Sequence, residues 1–161
     1  MTKPLWAPWR LEYVGSADEE RGCVFCRAAE GDDEERLVVR RGEHAFVLLN
    51  KFPYASGHLM VAPFRHGSAF DELADDEALE VHALAGRAMA ALRAIYKPDG
   101  LNLGWNLGRV AGAGIVDHAH LHVVPRWSGD TNFMPVLADV KVMPEHLLET
   151  RRRLVDAWPT S

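Results

Sequence analysis

Residues 118 to 123 read His-Ala-His-Leu-His-Val. In a strand, successive side chains leave on opposite faces, so this alternation puts three imidazoles on one side and Ala119, Leu121 and Val123 on the other. Neighbouring imidazoles on such a face have Cα atoms about 7 Å apart, which lets one attack a substrate while its neighbours hold a metal or a leaving oxygen. A single histidine is most often just hydrogen-bonded or solvated. Three in alternation, among eight in the chain, argue instead for a working surface.

The remaining pattern supplies a sheet for that strand. LVVRR and HAFVLLN, separated by Gly42-Glu43, read as a hairpin, and GHLMVAP after the turn Tyr54-Ala55-Ser56-Gly57 as a third strand. DDEALEVHALAGRAMAALRAIY is rich in helix formers, opens on acidic residues and repeats Leu79, His82, Ala85, Met89, Leu92 and Tyr96 at three- and four-residue spacing. It reads as one long amphipathic helix over the sheet. LNLGWNLG and HAHLHVVPR read as further strands, and a last helix is expected from Pro144 to Trp158, with proline in its first turn. The expected fold is α+β, an antiparallel sheet covered by one long helix, plus a C-terminal helix.

The length, 161 residues with 48% hydrophobic content, suits one domain. Within it, residues 1–36 read as an irregular arm carrying Trp6, Trp9, Tyr13 and the cysteines, 37–127 as the core, and 128–161 as a C-terminal extension. No apolar run approaches the roughly 18 residues that span a bilayer, and MTKPLWAPWR lacks a signal-peptide apolar stretch, so a cytoplasmic protein without membrane contact is expected. The net charge of −5 repels polyanions, which argues against nucleic acid as a partner, and an anionic substrate must be held by local groups.

Cys23 and Cys26 are the only cysteines. They can give two thiolates to a tetrahedral zinc, with His66 and His118 as candidates for the other two ligands. A redox role calls for a strand-then-helix context that SADEERG and RAAEGDDEER do not offer. The stretch from Gly108 to Gly114 holds three glycines, whose backbone N–H groups can converge on an anion without side-chain obstruction. Such turns are common, and it is the position directly before the histidines that singles this one out. Trp127 reads as packing more than as a base-stacking residue, and Lys51 and Arg126 are the nearest candidates for neutralising a polyphosphate.

His118-Ala119-His120-Leu121-His122-Val123-Val124 resembles the signature of the histidine-triad (HIT) superfamily, three histidines alternating with apolar residues. The likeness extends through NKFPYASGHLMVAPFRH and NLGRVAGAGIVDH, about residues 22 to 127. The flanks LWAPWR and VVPRWSGDTNFMPVLADVKVMPEHLLETRRRL are similar to the actinobacterial diadenosine tetraphosphate phosphorylase branch. By that resemblance His120 is the nucleophile on an α-phosphate, and His122 supports the phosphate and the protonation of the leaving group. His118 joins them in the triad, Asn50 contacts a ribose and Asn106 lies near the phosphates or the nucleophile, with turn and strand-end capping as the alternative for each asparagine. The resemblance also implies a structural zinc on Cys23, Cys26, His66 and His118, no organic cofactor, and a homodimer formed by continuing one sheet across two subunits.

The function so implied is cleavage of adenine nucleotides or dinucleoside polyphosphates through a covalent histidyl-nucleotide. Hydrolase branches place a glutamine and then a serine or threonine where this chain has Gly114-Ile115. Backbone N–H groups of Gly112, Ala113 and Gly114 are expected to replace those contacts, and inorganic phosphate to serve as second nucleophile, which favours a phosphorylase over a hydrolase. The alternatives are a HIT-type hydrolase or phosphoramidase, and a nucleotide-binding regulatory dimer with little turnover. A metallohydrolase with a catalytic zinc on the strand histidines is disfavoured by the free cysteine pair.

Overall fold

The computed structural model describes residues 22–130 and 145–160. Helix α1 (Val24–Glu30) is followed by strands β1 (Val38–Arg41), β2 (Ala45–Leu49) and β3 (Leu59–Pro63), then the long helix α2 (Asp75–Tyr96). Strands β4 (Gly100–Trp105) and β5 (Leu121–Arg126) and helix α3 (Leu147–Asp156) complete the order. The five strands form one antiparallel sheet in the order β1-β2-β3-β5-β4. The expected α+β fold is observed, and no helix among the described residues is long and apolar enough to cross a membrane.

Strand periodicity divides the sheet into two faces. Val47, Leu49, Leu59, Val61, Leu121 and Val123 pack against Val81, Leu84, Ala85, Ala88, Ala91 and Leu92 of α2 and against Leu154 and Trp158 near the C-terminus. Phe46, Leu48, Met60 and Ala62 point the other way and pack with Phe25 and Ala28 of α1. Phe46, Leu49, Leu59 and Leu92 lose nearly all contact with water, and each such burial contributes roughly 1.5–3 kcal/mol.

The long helix spans the residues expected of it, and of the expected stripe Ala85, Met89, Leu92 and Tyr96 pack in the core, while its first two members do not. Leu79 is 70% exposed and His82 is exposed, while Val81, Leu84 and Ala88 face the sheet. Polar anchors fix the N-terminal end of the helix. Glu77 accepts the Ala74 N–H at 2.9 Å and the Arg65 guanidinium, and Glu80 reaches the β1–β2 turn, where its carboxylate takes the backbone N–H groups of Glu43, His44 and Ala45. A side chain on Gly42 would collide with that carboxylate, so glycine there is what lets helix and hairpin meet. Burial pushes the Glu80 carboxyl up, and the three N–H donors outweigh it and hold it below its ordinary range.

The last helix is described from Leu147, capped by His146, whose Nδ1 accepts the Leu148 N–H at 3.3 Å; the expected start at Pro144 lies outside the described residues. Glu145 ties this helix to α2 by accepting from Tyr96 Oη, Thr150 Oγ1 and Arg153. The start of the arm is also corrected. Residues 24–30 are not irregular but helical, with Cys23 as N-cap, because Arg27, Ala28, Ala29 and Glu30 are good helix formers in a run too short to show periodicity.

Candidate active site

Sheet parity gathers the candidate residues. Met60 pairs with His122 and Gly104 with His122, so even-numbered residues of β3, β4 and β5 share the face opposite α2. Extending the same parity brings Asn50, His58, Asn106 and His120 to that face. Ladder pairing of β5 starts at Leu121, so His118 and His120 precede the paired strand, and the Ala119 N–H bonds to Gly67 O at 2.7 Å. The phase is nevertheless kept. The ring centroids of His120 and His122 lie 4.8 Å apart, and those of His118 and His120 lie 5.1 and 4.6 Å from Phe25. The histidine face is not open to water: Phe25 and its cluster cover it, and His118, His120 and His122 are 1%, 5% and 8% exposed.

His58, wholly buried, joins the candidate residues on this face, although the sequence alone does not single it out. Its signal was present, since in GHLMVAP it stands in phase with Met60 and Ala62. Gly57 before it has φ +80, and a Cβ there would lie 2.8 Å from Leu92 Cδ2, so glycine sets both the turn and the close approach of α2 that seats His58.

Hydrogen bonds assign the ring protons, because backbone N–H can only donate and C=O only accept. Tyr54 N–H donates to His58 Nδ1 at 3.0 Å, so the His58 proton is on Nε2, which donates to His122 Nδ1 at 2.9 Å. The His122 proton is therefore on Nε2, 3.4 Å from Asn106 Nδ2, itself a donor, so no hydrogen bond joins the two. His120 is the reverse case. Its Nδ1–H donates to the His118 carbonyl at 2.8 Å, leaving a lone pair on Nε2. Burial holds this imidazole below its usual range, hence neutral near pH 7. One ring thus offers a lone pair and its neighbour a proton.

The predicted metal ligands also converge. One donor atom from each of Cys23, Cys26, His66 and His118 lies within 4.8 Å of all the others. Cys23 Sγ is 3.4 Å and Cys26 Sγ 3.8 Å from His118 Nδ1, and Cys26 Sγ is 3.3 Å from His66 Nδ1. A tetrahedral zinc with sulfur and nitrogen ligands has S···N edges of roughly 3.5 Å, so the set fits. His118 Nε2 donates to Pro63 O at 2.8 Å, which frees Nδ1 for a metal. Burial pushes the Cys23 thiol up, but the hydrogen bond with His118 and the Cys26 N–H bring it down to about 6, a thiolate suited to ligation. When bound, a zinc ion here supplies structural crosslinking.

The glycine-rich loop departs from expectation. The Gly112 N–H bonds to Arg109 O at 3.0 Å and the Ala113 N–H to Gly108 O at 3.2 Å, because Arg109–Ala111 form a helical turn that closes the loop on itself. Among the described residues, no acceptor takes the Gly114 N–H. Asn50 Oδ1 accepts the Phe52 N–H at 2.9 Å and its amide nitrogen is 3.4 Å from His58 Nδ1, so it shapes the turn that carries His58. Arg126 is bound to Asp130 and Asn102 at the far end of β5, away from the triad. Trp127 packs edge-on to Tyr96, its Nε1–H on Tyr96 O at 3.3 Å.

Comparisons with known proteins agree with this geometry. The HIT domain model matches residues 32–129. The AP-4-A phosphorylase of Mycobacterium tuberculosis is 40% identical over 96% of this chain and 83% of its own length. Among solved structures, a Zn-bound histidine triad family protein from Mycobacterium smegmatis superposes with a TM-score of 0.67 at 26% identity, covering 84% of this chain and 92% of that one. A hypothetical histidine triad nucleotide-binding protein from Sulfolobus tokodaii gives the same TM-score and identity, over 84% and 91%. The chain belongs to the HIT family of nucleotide-processing enzymes.

Proposed function

We propose that the chain is a dinucleoside polyphosphate phosphorylase, acting on diadenosine tetraphosphate or a near relative through a covalent adenylyl group on His120. The observation that carries this reading is the opposed protonation of two adjoining rings, with a lone pair on His120 Nε2 and a proton on His122 Nε2.

In the first step His120 Nε2 attacks the α-phosphorus; a P–N bond forms, the bridging P–O bond breaks, and the leaving adenosine triphosphate takes the proton of His122 Nε2. The Tyr54 N–H to His58 to His122 series keeps that proton on Nε2. In the second step an oxygen of inorganic phosphate attacks the same phosphorus and gives its proton to His122 Nε2, the P–N bond breaks, and adenosine diphosphate leaves. The Gly114 N–H and the Asn106 amide hold the phosphate oxygens, and Asn50 supports the ribose side.

Two features favour phosphate over water as second nucleophile. Ile115 turns its hydrocarbon into the Phe25 cluster, so this loop position brings no hydroxyl or amide to hold a water. The Mycobacterium tuberculosis relative is named a phosphorylase. The chain works as a single domain with a structural zinc on Cys23, Cys26, His66 and His118. A homodimer is supported by β4, a six-residue edge strand with Leu103 exposed, which pairing with a second copy would cover.

The test is incubation with diadenosine tetraphosphate with and without inorganic phosphate, products being separated by chromatography. Phosphate-dependent release of adenosine diphosphate with adenosine triphosphate is expected. Phosphate-independent adenosine monophosphate would make the protein a hydrolase, and tight nucleotide binding without product a regulatory protein.

A further inference from the structure

We propose that Phe25 is a positioning residue for His120, joining the Cys/His cluster to the nucleophile. This rests on the reading of His120 as nucleophile. Phe25 stands between Cys23 and Cys26 in sequence, so two cluster members bracket it. It is fully buried, and its ring lies 4.6 Å from the His120 ring and 5.1 Å from the His118 ring.

The need for such a residue follows from what else holds His120. One hydrogen bond, Nδ1–H to the His118 carbonyl, fixes the bearing of a single atom and leaves the ring free to tilt about it. His122 meets the ring nearly edge-on, at 4.8 Å and 69° between planes. Phe25 supplies a further wall, tilted by 35°. Between them, wall and hydrogen bond aim Nε2. Both also begin at the cluster, one through the backbone of His118 and the other through the segment between the cysteines. Displacement of the cluster therefore moves the nucleophile's hydrogen-bond acceptor and its aromatic wall together.

Phe46 provides the matched control. It is equally buried in the same cluster, but stacks on Phe64 at 5.1 Å. The experiment compares full-length, zinc-supplemented wild type, Phe25→Leu and Phe46→Leu for zinc content, melting temperature, kcat, KM and the ring nitrogen resonances of His120. Phe25→Leu is expected to lower kcat about tenfold with KM little changed, since small misplacements of a reacting group are costly. Its zinc content should hold, while the His120 resonances shift toward a mixture of tautomers. Phe46→Leu should lose comparable melting temperature and keep wild-type kcat and resonances. The proposal is overturned if Phe25→Leu retains wild-type kcat and resonances, or if both variants lose kcat in equal proportion. Should Phe25→Leu fail to fold, Phe25→Met, close in volume and without a ring, takes its place under the same criteria. If wild type turns over no nucleotide, the reading of function fails, and the resonances, which need no substrate, still decide the role of Phe25.

Discussion

Two groups of histidines share the segment from His118 to His122, and their side chains are put to different use. At the cluster, His118 gives one nitrogen to Pro63 O and turns the other toward two sulfurs. Two residues on, His120 gives one nitrogen to the His118 carbonyl, and among the described residues nothing bonds the other. His122 takes a hydrogen bond from His58 on Nδ1 and keeps its proton on Nε2. The residue type is constant, and what differs is the partner of the second nitrogen. A histidine is assigned to metal, nucleophile or acid by the group behind it, which a motif does not spell out.

The contrast breaks first at the proposed nucleophile. His120→Gln is expected to reduce turnover by at least about ten-thousandfold while zinc content stays at the wild-type level. Steady-state kinetics alongside metal analysis check this, and retained turnover would remove His120 from the mechanism. The cluster should respond in the opposite way. Cys26→Ser is expected to lose bound zinc and about 3 kcal/mol of stability, roughly 10 °C in melting temperature for a chain of this size. Calorimetry with and without chelator measures it; an unchanged melting curve after chelation would deny the cluster a structural role.

A finer test separates acid from nucleophile. His58→Gln removes the ring that fixes the His122 proton, and is expected to lower kcat about thirtyfold for a poor leaving group. The loss should shrink for a nucleotide ester with a good leaving group, which needs no proton. Equal losses on both substrates would mean that His58 only packs.

The smallest effect lies away from both histidine groups. Glu80→Ala strips the β1–β2 turn of its acceptor and is expected to cost about 1.5 kcal/mol. Because the folded carboxyl titrates below its ordinary 4.5, its contribution is complete above that pH and fades as pH falls through the lower folded value. Wild type and Glu80→Ala should therefore converge in stability in acid, as denaturant titrations at several pH values would show.

Much of this was legible in the sequence, and the omissions have physical causes. Strand positions followed from period-two patterning, and the order β1-β2-β3-β5-β4 brought together residues that the sequence only showed singly. Cys23 and Cys26 could be paired because cysteine at that spacing has few other uses, and the fold brings His66 and His118 to them. The exposure of Leu79 and His82 at the start of α2 was not readable, since that end is held by Glu77 and Glu80 reaching across to Arg65 and the hairpin turn. His58 was hidden as one histidine at a strand entrance, its meaning supplied by His122 across the sheet. The glycine loop shows what pattern leaves open, because glycine permits a phosphate cradle and equally permits the turn in which the Gly112 and Ala113 N–H groups bond Arg109 and Gly108.

The central claim, a nucleotide carried on His120, is tested most directly by trapping it. Protein mixed with diadenosine tetraphosphate in the absence of phosphate is quenched in alkali, digested, and mapped by mass spectrometry under conditions that preserve phosphorus–nitrogen bonds. An adenylyl group on the peptide at His120 is the predicted result; turnover with no adduct, or an adduct on His122 or His58 instead, would contradict it.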